Sequence, residues 1–250
     1  MYNTVKQKLL NGEQAIGGTI DTPDPDVYRA MARAGFDFIW IEMQHSPLTY
    51  QEVARMIRAG RDLPAIPFIR VPDATEGDVQ KATDIGALGI IVPMVVEPGK
   101  VEAAVRFAKY PPTGARSLGG GQCGELWGGG YRQTANDNIM VVGMIESPAG
   151  VENAERIAAV PGVDVIFTAA TDLFSFSGFA QGTTEYEAMV TRIKDAALGA
   201  GLGLGGPVQW RNRGGFNFFQ APTATVLVGR GARDLLAETE TLAPIEGSER

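Results

Sequence analysis

Short apolar runs recur at fairly even spacing along the chain, and most are rich in β-branched or aromatic residues. Runs of this length, bounded by glycine, proline or polar residues, predict buried β-strands rather than helices. The clearest of them ends just before Glu42 and His45. The predicted strands are Ala15–Ile20, Phe36–Ile41, Ile66–Val71, Gly89–Met94, Met140–Ile145, Val163–Thr168, Gly201–Gly205 and Phe216–Gln220.

Segments with helical periodicity separate these runs. Several begin at residues favoured at helix N-termini, namely Asp24-Pro25, Thr49 and Thr184, and others end at glycine. Eight strands alternating with helices predict a (β/α)8 TIM barrel, a single domain over residues 1–250. An open doubly wound sheet is the alternative, because periodicity does not establish closure. The predicted helices are Asp26–Ala34, Tyr50–Ala59, Asp78–Ile85, Lys100–Lys109, Val151–Ala159, Glu185–Leu198 and Thr225–Glu238.

The segment 111–138 interrupts this alternation. It is dense in glycine, and neither the helical nor the strand period covers it. A long insertion of this kind in a compact domain predicts a functional loop or an arm that contacts a partner, and a plain flexible loop is the alternative. Its part Leu118–Tyr131, with Trp127, is predicted to contact an incoming substrate across the boundary with a neighbouring subunit.

Polar side chains suited to chemistry follow two neighbouring predicted strands. The carboxyl ends of barrel strands converge on one face, where barrel enzymes place their active sites. His45, the only histidine, is suited to proton transfer, and Glu42 lies close enough in sequence to tune its basicity. Arg70 is suited to holding a keto oxygen as negative charge develops on it. The structural alternatives are a hydrogen-bonded histidine at the rim and an ion pair across it.

Two further predicted strands are followed by the acids Glu146 and Asp172. Carboxylates at neighbouring strand ends can face the same opening, and with open coordination positions they suit Mg2+ or Mn2+. The alternative interpretation is that each acid caps the helix that follows it.

The sequence disfavours two other kinds of chemistry. Each lysine falls in or beside a predicted helix, and none ends a strand, so an imine mechanism is not expected. One histidine and one cysteine are too few for a zinc centre built from such residues. The lysines are Lys6, Lys8, Lys81, Lys100, Lys109 and Lys194.

The composition of the chain limits the classes of partner that we expect it to bind. The formal net charge of -7 argues against nucleic acid, and we find neither a basic cluster for a lipid surface nor an apolar run long enough for a membrane span. The lone Cys123 allows no internal disulfide, which is consistent with a reducing compartment. We therefore expect a cytoplasmic protein that acts on small molecules.

An ordered set of short motifs runs through most of the chain. They are Ala34-Gly-Phe-Asp-Phe-Ile, Gln44-His-Ser-Pro, Ile69-Arg-Val-Pro, Gly89-Ile-Ile-Val-Pro-Met-Val, Lys109-Tyr-Pro-Pro-Thr-Gly-Ala-Arg-Ser, Met144-Ile-Glu-Ser, and Gly162-Val-Asp-Val-Ile with Asp172-Leu and Ser177-Gly178. Together they resemble the HpcH/HpaI family of class II, metal-dependent pyruvate aldolases, similar to 4-hydroxy-2-oxoheptanedioate and 2-keto-3-deoxy-sugar-acid aldolases.

The resemblance implies a reversible cleavage of a 4-hydroxy-2-oxoacid to pyruvate or hydroxypyruvate and an aldehyde. It implies Mg2+ or Mn2+, with Co2+ or Zn2+ as further candidates and no organic cofactor, held by residues matching Glu146 and Asp172. Arg70 would steady the enolate oxygen, and His45 with its acidic neighbour Glu42 would move the proton. The backbone of Ala170, Thr171 and Asp172 would bind the substrate carboxylate.

The resemblance also implies a homo-oligomer, a hexamer built as a trimer of dimers that exchange a C-terminal helix. The chain departs from the family pattern at Glu42, where aspartate is usual, and at Gln44, where glutamate is more common. Thr19 and Met144 also replace an aromatic residue and a glutamine of some relatives, and Ala169-Ala-Thr171 replaces the frequent Gly-Pro-Ala. A citrate-lyase-like or malyl-CoA-type thioester lyase and a non-catalytic oxoacid-binding barrel are the rival interpretations.

Overall fold

Eight parallel strands form a closed barrel in the computed structural model, which describes residues 2–240. Each strand pairs with the next along the chain, and the last pairs with the first. The strands are β1 (Ala15–Ile20), β2 (Phe38–Glu42), β3 (Ile66–Arg70), β4 (Gly89–Val92), β5 (Met140–Ile145), β6 (Val165–Thr168), β7 (Gly203–Pro207) and β8 (Phe218–Thr223).

Helices surround the barrel, and a short 3-10 turn, Val208–Trp210, follows β7. None of the helices within residues 2–240 is both long and apolar enough to cross a membrane. The helices are α1 (Thr4–Leu10), α2 (Pro25–Arg33), α3 (Tyr50–Ala59), α4 (Glu76–Asp84), α5 (Pro98–Ala108), α6 (Gln122–Trp127), α7 (Tyr131–Asn138), α8 (Pro148–Glu152), α9 (Ala154–Ala158), α10 (Ala170–Ser177), α11 (Thr184–Gly199) and α12 (Ala224–Glu240).

Aromatic rings fill the lower part of the barrel interior. The ring of Phe38 lies 4.8 Å from that of Phe68 and 4.5 Å from that of Phe218, centre to centre. These rings leave room only for glycine at positions 17 and 89. A Cβ atom on Gly17 would lie 2.1 Å from the Phe38 ring, and one on Gly89 would lie 1.9 Å from the Phe68 ring. Since alternate strand residues face the same side, the next inward positions carry polar groups toward the upper, carboxyl-terminal face.

The predicted (β/α)8 barrel is confirmed, and the open sheet is excluded by the pairing of β8 with β1. The bounds of β1, β5 and α3 agree fully with the prediction. The predicted helix Val151–Ala159 is divided at Asn153 into α8 and α9. Thr183, not Thr184, caps α11, since its hydroxyl accepts the Tyr186 N–H.

The segment 111–138 is not a structureless loop. It contains α6 and α7, and it joins α5 to β5, so it enters the barrel at the amino-terminal end of the strands. The Trp127 indole N–H donates to the Gly86 carbonyl at 3.0 Å, just before β4, and its ring stacks on Tyr2. Within this chain the segment therefore lies at the opposite end from the strand-end polar residues and does not reach them, and the predicted contact of Leu118–Tyr131 with a substrate of a neighbouring subunit stays a prediction.

Candidate active site

Glu42 and Arg70 form a buried ion pair at the carboxyl-terminal face. They end β2 and β3 and occupy paired positions in the register of these strands. The Arg70 Nε–H donates to Glu42 Oε2 at 2.5 Å, and Arg70 Nη2 contacts the same oxygen. The residues Glu42 and Arg70 are 5% and 8% exposed respectively, so the guanidinium is held in one orientation and largely shielded from water.

Trp40 supports this pair from inside the barrel. Its indole N–H donates to Glu42 Oε2 at 3.3 Å, and the Arg70 guanidinium carbon lies 5.7 Å from the ring centre. The ring meets Phe167 edge-on at 5.2 Å and is fully buried. Trp40 therefore links the aromatic interior to the charged layer above it, through a hydrogen bond and a cation–π contact.

His45 is connected to this pair through its backbone. Glu42 Oε1 accepts the backbone N–H groups of Gln44 at 2.8 Å and His45 at 2.9 Å. Within the described chain, no hydrogen bond joins the Glu42 carboxylate to the His45 imidazole, which is exposed at the rim. The predicted Glu42–imidazole contact is thus corrected: Glu42 fixes the turn that carries His45 and the direction of Arg70.

Glu146 and Asp172 form the second charged group of this face. Glu146 follows β5 and is 2% exposed, and Asp172 lies in the first turn of α10. Burial is the main cause that raises the pKa of Glu146 to about 7. The hydrogen bond from Met94 opposes this rise in the pKa, and the neighbouring negative charge of Asp172 adds to it.

An unusual backbone conformation aims the hydrogen bond at Glu146. The Met94 N–H donates to Glu146 Oε1 at 2.7 Å, and Met94 has a φ of 53°. Among residues 2–240, Met94 is the only residue other than glycine with a positive φ. Such strain persists where surrounding structure imposes it, and here it directs a donor at a candidate metal ligand.

The two carboxylates fit a hard divalent cation. They offer oxygen donors, and a cation between them would offset the repulsion that a buried carboxylate feels beside a second one. Across residues 2–240 no group of three or more His, Cys, Asp or Glu side chains is arranged to hold a metal ion. A site of two carboxylates leaves positions for substrate and water oxygens, a pattern that suits Mg2+ or Mn2+ better than Zn2+.

The start of α10 offers backbone donors beside these acids. Ala170, Thr171 and Asp172 form its first turn. The N-cap residue, Ala169, makes no side-chain hydrogen bond that caps the helix. The Tyr186 hydroxyl donates to the Ala170 carbonyl at 2.9 Å and anchors the turn. Free N–H groups at a helix N-terminus bind anions, so this turn is suited to a carboxylate.

A cavity of about 360 Å³ joins Arg70 to the start of α10. A larger cavity, about 640 Å³, lies between the β1–α2 loop and α12 and includes none of the candidate site residues. His45, Glu42 and Glu146 are outside the lining of the smaller cavity. Its lining residues are Arg70, Met144, Phe167, Ala169, Ala170, Thr171, Asp172, Gln181, Pro207, Gln209, Trp210 and Gln220.

Comparison with known proteins identifies the family of this chain. The HpcH/HpaI aldolase/citrate lyase family matches residues 20–203. The chain belongs to this family. It is 30% identical to a hydroxypyruvate/pyruvate aldolase of Rhizorhabdus wittichii, over 96% of this chain and 100% of that protein. It is 31% identical to a 4-hydroxy-2-oxovalerate aldolase of Novosphingobium aromaticivorans, over 82% of this chain and 78% of that protein.

A solved family structure supports the same assignment. The crystal structure of an HpcH/HpaI aldolase/citrate lyase family protein from Burkholderia cenocepacia superposes with a TM-score of 0.87. The two proteins are 30% identical, and the match covers 96% of this chain and 100% of the other. The resemblance carried by the sequence motifs is therefore confirmed at the level of family and fold.

Several polar residues of this HpcH/HpaI barrel were not predicted from the sequence. Gln181, Gln209 and Gln220 line the cavity, and no motif marks a neutral amide in a loop or late in a strand. Asp21 follows β1, and its Oδ1 is buried without a hydrogen-bond partner among the described residues. The alternation along β1 would have placed Asp21 on the inward side with Thr19, although the sequence Asp21-Thr-Pro is also typical of a turn.

Lys109 lies away from the candidate active site. Its ammonium donates to the carbonyls of Asn136, at 2.7 Å, and Ile139, which lies just before β5. Burial lowers the pKa of Lys109 to about 8, which would suit an amine nucleophile. Its place at the amino-terminal end of the barrel separates it from the cavity, in agreement with the expectation that no lysine ends a strand.

Proposed function

We propose that this protein is a divalent-metal-dependent aldolase that reversibly cleaves a 4-hydroxy-2-oxoacid to pyruvate or hydroxypyruvate and an aldehyde. The observation that carries the proposal is the convergence of two carboxylates, a held guanidinium and a free helix N-terminus on one face of the barrel. The names of the aldolase relatives support the same reaction class.

The oxoacid end of the substrate would bind against α10. Its carboxylate accepts hydrogen bonds from the first-turn N–H groups, and Asp172 with Glu146 would hold Mg2+ or Mn2+ beside it. When bound, the ion supplies a Lewis acid for the oxygens of the oxoacid. These contacts fix the position of the keto group relative to Arg70.

Arg70 is placed to stabilise the charge that develops on the keto oxygen. Because Glu42 and Trp40 hold the guanidinium in advance, little reorganisation accompanies enolate formation. Its Nη1 lies 4.0 Å from the sulfur of Met144. Met144 stands in β5, two residues before the proposed metal ligand Glu146. Glu42 thus acts on the reaction through Arg70 and through the turn that carries His45.

His45 would move the proton of the substrate's 4-hydroxyl group. As the only histidine, and exposed at the rim of the strand ends, it can take up that proton and pass it to solvent. Removal of this proton breaks the bond between C3 and C4, and its electron pair stays on the oxoacid half as the enolate while the aldehyde leaves. The enolate then gains a proton at C3 to give pyruvate or hydroxypyruvate. In condensation C3 loses that proton, and the new 4-oxygen is protonated after the carbon–carbon bond forms.

The reaction can be tested by release of pyruvate. The purified protein is incubated with a 4-hydroxy-2-oxoacid, and pyruvate is measured by coupling to lactate dehydrogenase, with Mg2+ or Mn2+ and then with EDTA. Metal-dependent release supports the proposal. Activity that appears only with a CoA thioester would replace it with the thioester-lyase alternative.

We also propose that the protein works as a cytoplasmic homo-oligomer, a hexamer in which α12 packs against a neighbouring subunit. In α12, Ala224 is buried and Leu227 packs against the core of the barrel, whereas Val228, Leu235 and Leu236 are 68%, 59% and 65% exposed, so these three apolar side chains lie largely uncovered in one chain. Size-exclusion chromatography with light scattering tests the proposal. A monomer at micromolar concentration would contradict it.

A further inference from the structure

The connection between β7 and β8, residues 208–217, forms part of the cavity wall. The other strand connections along the chain pass through α-helices, whereas this one contains the 3-10 turn that follows β7. Its aromatic residues pack on β7 at Gly206, where a Cβ atom would lie 2.9 Å from the Trp210 ring and 3.1 Å from the Phe216 ring. Trp210 also lines the cavity. The position of this connection therefore affects the shape of the cavity.

Arg213 holds the connection against α11. Its guanidinium carbon lies 4.3 Å from the centre of the Trp210 ring and 5.9 Å from that of the Phe216 ring. The two rings meet edge-on, with their centres 5.3 Å apart. The guanidinium also forms an ion pair with Glu187 in the first turn of α11. A cation–π contact and an ion pair thus link Trp210 to this helix.

Glu187 binds a second segment of the cavity wall as well. Its Oε1 accepts the Gly182 N–H at 3.2 Å, and its Oε2 contacts Arg213. Gly182 lies in the loop 178–183 between α10 and α11, and Gln181 of this loop lines the cavity. One carboxylate therefore joins two parts of the wall that lie far apart in the chain.

The residue beside Glu187 holds a third part of the cavity. Tyr186 is fully buried, and its hydroxyl donates to the Ala170 carbonyl at 2.9 Å, in the turn proposed to bind the oxoacid carboxylate. By contrast, the Arg213 and Glu187 side chains are 33% and 35% exposed. Partly exposed contacts open locally at a lower free energy than buried ones, so the Glu187–Arg213 pair, here termed the latch, opens first.

We propose that Glu187 is a positioning residue for the oxoacid, because it holds the β7–β8 connection and the loop 178–183 against α11. This inference rests on the proposed aldolase function and adds a residue that controls the affinity of its cavity. With the latch closed, Trp210 bounds the cavity, and the oxoacid binds this closed form. When Arg213 leaves Glu187, Trp210 loses a contact that holds it, and the oxoacid binds less tightly.

Trypsin cleavage after Arg213 measures opening of the latch without an assay of activity. Trypsin binds an arginine side chain and cuts the peptide bond that follows it. The bond between Arg213 and Gly214 is therefore cut once Arg213 has left Trp210 and Glu187, and the rate follows the population of the open form. Mass spectrometry of the two fragments gives the initial rate.

Substitutions of Glu187 should raise this rate. We expect Glu187→Leu to raise it about tenfold, as for loss of an exposed ion pair and one hydrogen bond. Glu187→Gln, whose amide oxygen can still accept the Gly182 N–H, should raise it less. Glu155→Leu is the matched control and should leave the rate unchanged. It breaks another ion pair of α11, between Glu155 and Arg192, and neither residue lines the cavity.

Methyl-proton exchange of pyruvate in D2O, with Mg2+, gives the consequence for the site. Because the oxoacid binds the closed form, opening lowers its apparent affinity, and saturating pyruvate closes the latch again. We expect the KM for pyruvate to rise several-fold in Glu187→Leu, and the exchange rate at saturation to stay near that of the wild type. Saturating pyruvate should also slow trypsin cleavage after Arg213 in the wild type.

Equal rates of trypsin cleavage in the wild type and both Glu187 variants would overturn the inference, as would equal effects of Glu187→Leu and Glu155→Leu. The wild-type exchange assay separates this failure from failure of the proposed function. Methyl exchange by the wild type together with an unchanged KM in Glu187→Leu overturns only the role of Glu187. No exchange by the wild type overturns the proposed function, and this inference with it.

Discussion

The Arg70 Nε–H donates to Glu42 Oε2 at 2.5 Å across neighbouring strands, and both side chains are buried. A buried carboxylate that loses its partner is left uncompensated, whereas removal of both charges is much less costly. We therefore predict that Arg70→Met lowers the free energy of unfolding by about 3 kcal/mol or more. The double variant Arg70→Met/Glu42→Met should recover a large part of this loss. Urea unfolding of the single and double variants measures the coupling, and strictly additive losses would contradict it.

Trp40→Phe should reduce catalysis through Arg70 and Glu42. The variant keeps an aromatic ring but loses the indole N–H that donates to Glu42 Oε2, a loss of about 1 kcal/mol. We expect kcat to fall several-fold while the affinity for Mn2+ stays unchanged. Trp127→Phe is the control, since it loses a similar indole hydrogen bond, to the Gly86 carbonyl, at the opposite end of the barrel. Equal effects on kcat in the two variants would argue against a positioning role for Trp40.

Met94→Val and Met94→Gly should separate backbone conformation from side-chain identity. Valine adopts a positive φ poorly, whereas glycine adopts it readily, and the Met94 N–H reaches Glu146 only in this conformation. We expect Met94→Val to weaken Mn2+ binding about tenfold, the equivalent of one hydrogen bond, and Met94→Gly to retain it. Equilibrium titration followed by electron paramagnetic resonance of free Mn2+ gives both affinities. Equal weakening in the two variants would assign the effect to the methionine side chain.

The substitutions that abolish metal binding should differ from those that slow cleavage of the oxoacid. Glu146→Ala and Asp172→Ala remove proposed metal ligands and should abolish Mn2+ binding at micromolar concentration. His45→Ala and Arg70→Ala should bind Mn2+ but cleave the oxoacid at least about a hundredfold more slowly, as for loss of a general base or of a stabilising cation. The same titration and the pyruvate-release assay test all four variants. Normal metal binding in Glu146→Ala would break the ligand assignment.

Much of the fold and part of the site could be predicted from the sequence. The period and composition of the apolar runs identify the strands, and the topology of a barrel then brings Glu42, Arg70, Glu146 and Asp172 to one face. The ion-pair partner of Glu42 could not be predicted from the sequence. Its carboxylate pairs with Arg70 because β2 and β3 are in register at these positions, and local sequence favours the nearer His45 instead.

The remaining features depend on long-range geometry. The positive φ of Met94 follows from how β4 ends against Glu146, and nothing in Val92-Pro-Met94 marks it. The glutamines of the cavity come from elements far apart in the chain. The place of segment 111–138, in contrast, follows from topology alone, since any connection from a helix to the next strand enters at the amino-terminal end of the barrel.

Proton NMR of pyruvate in D2O shows whether the protein forms the enolate of pyruvate with the help of a metal ion. The purified protein is incubated with pyruvate and Mg2+, then with EDTA, and the Glu146→Gln variant is treated in the same way. We predict that the methyl signal decays with the wild-type protein and Mg2+, and persists with EDTA or with Glu146→Gln. A methyl signal that persists with the metal-loaded wild type, or that decays equally with EDTA, would contradict it.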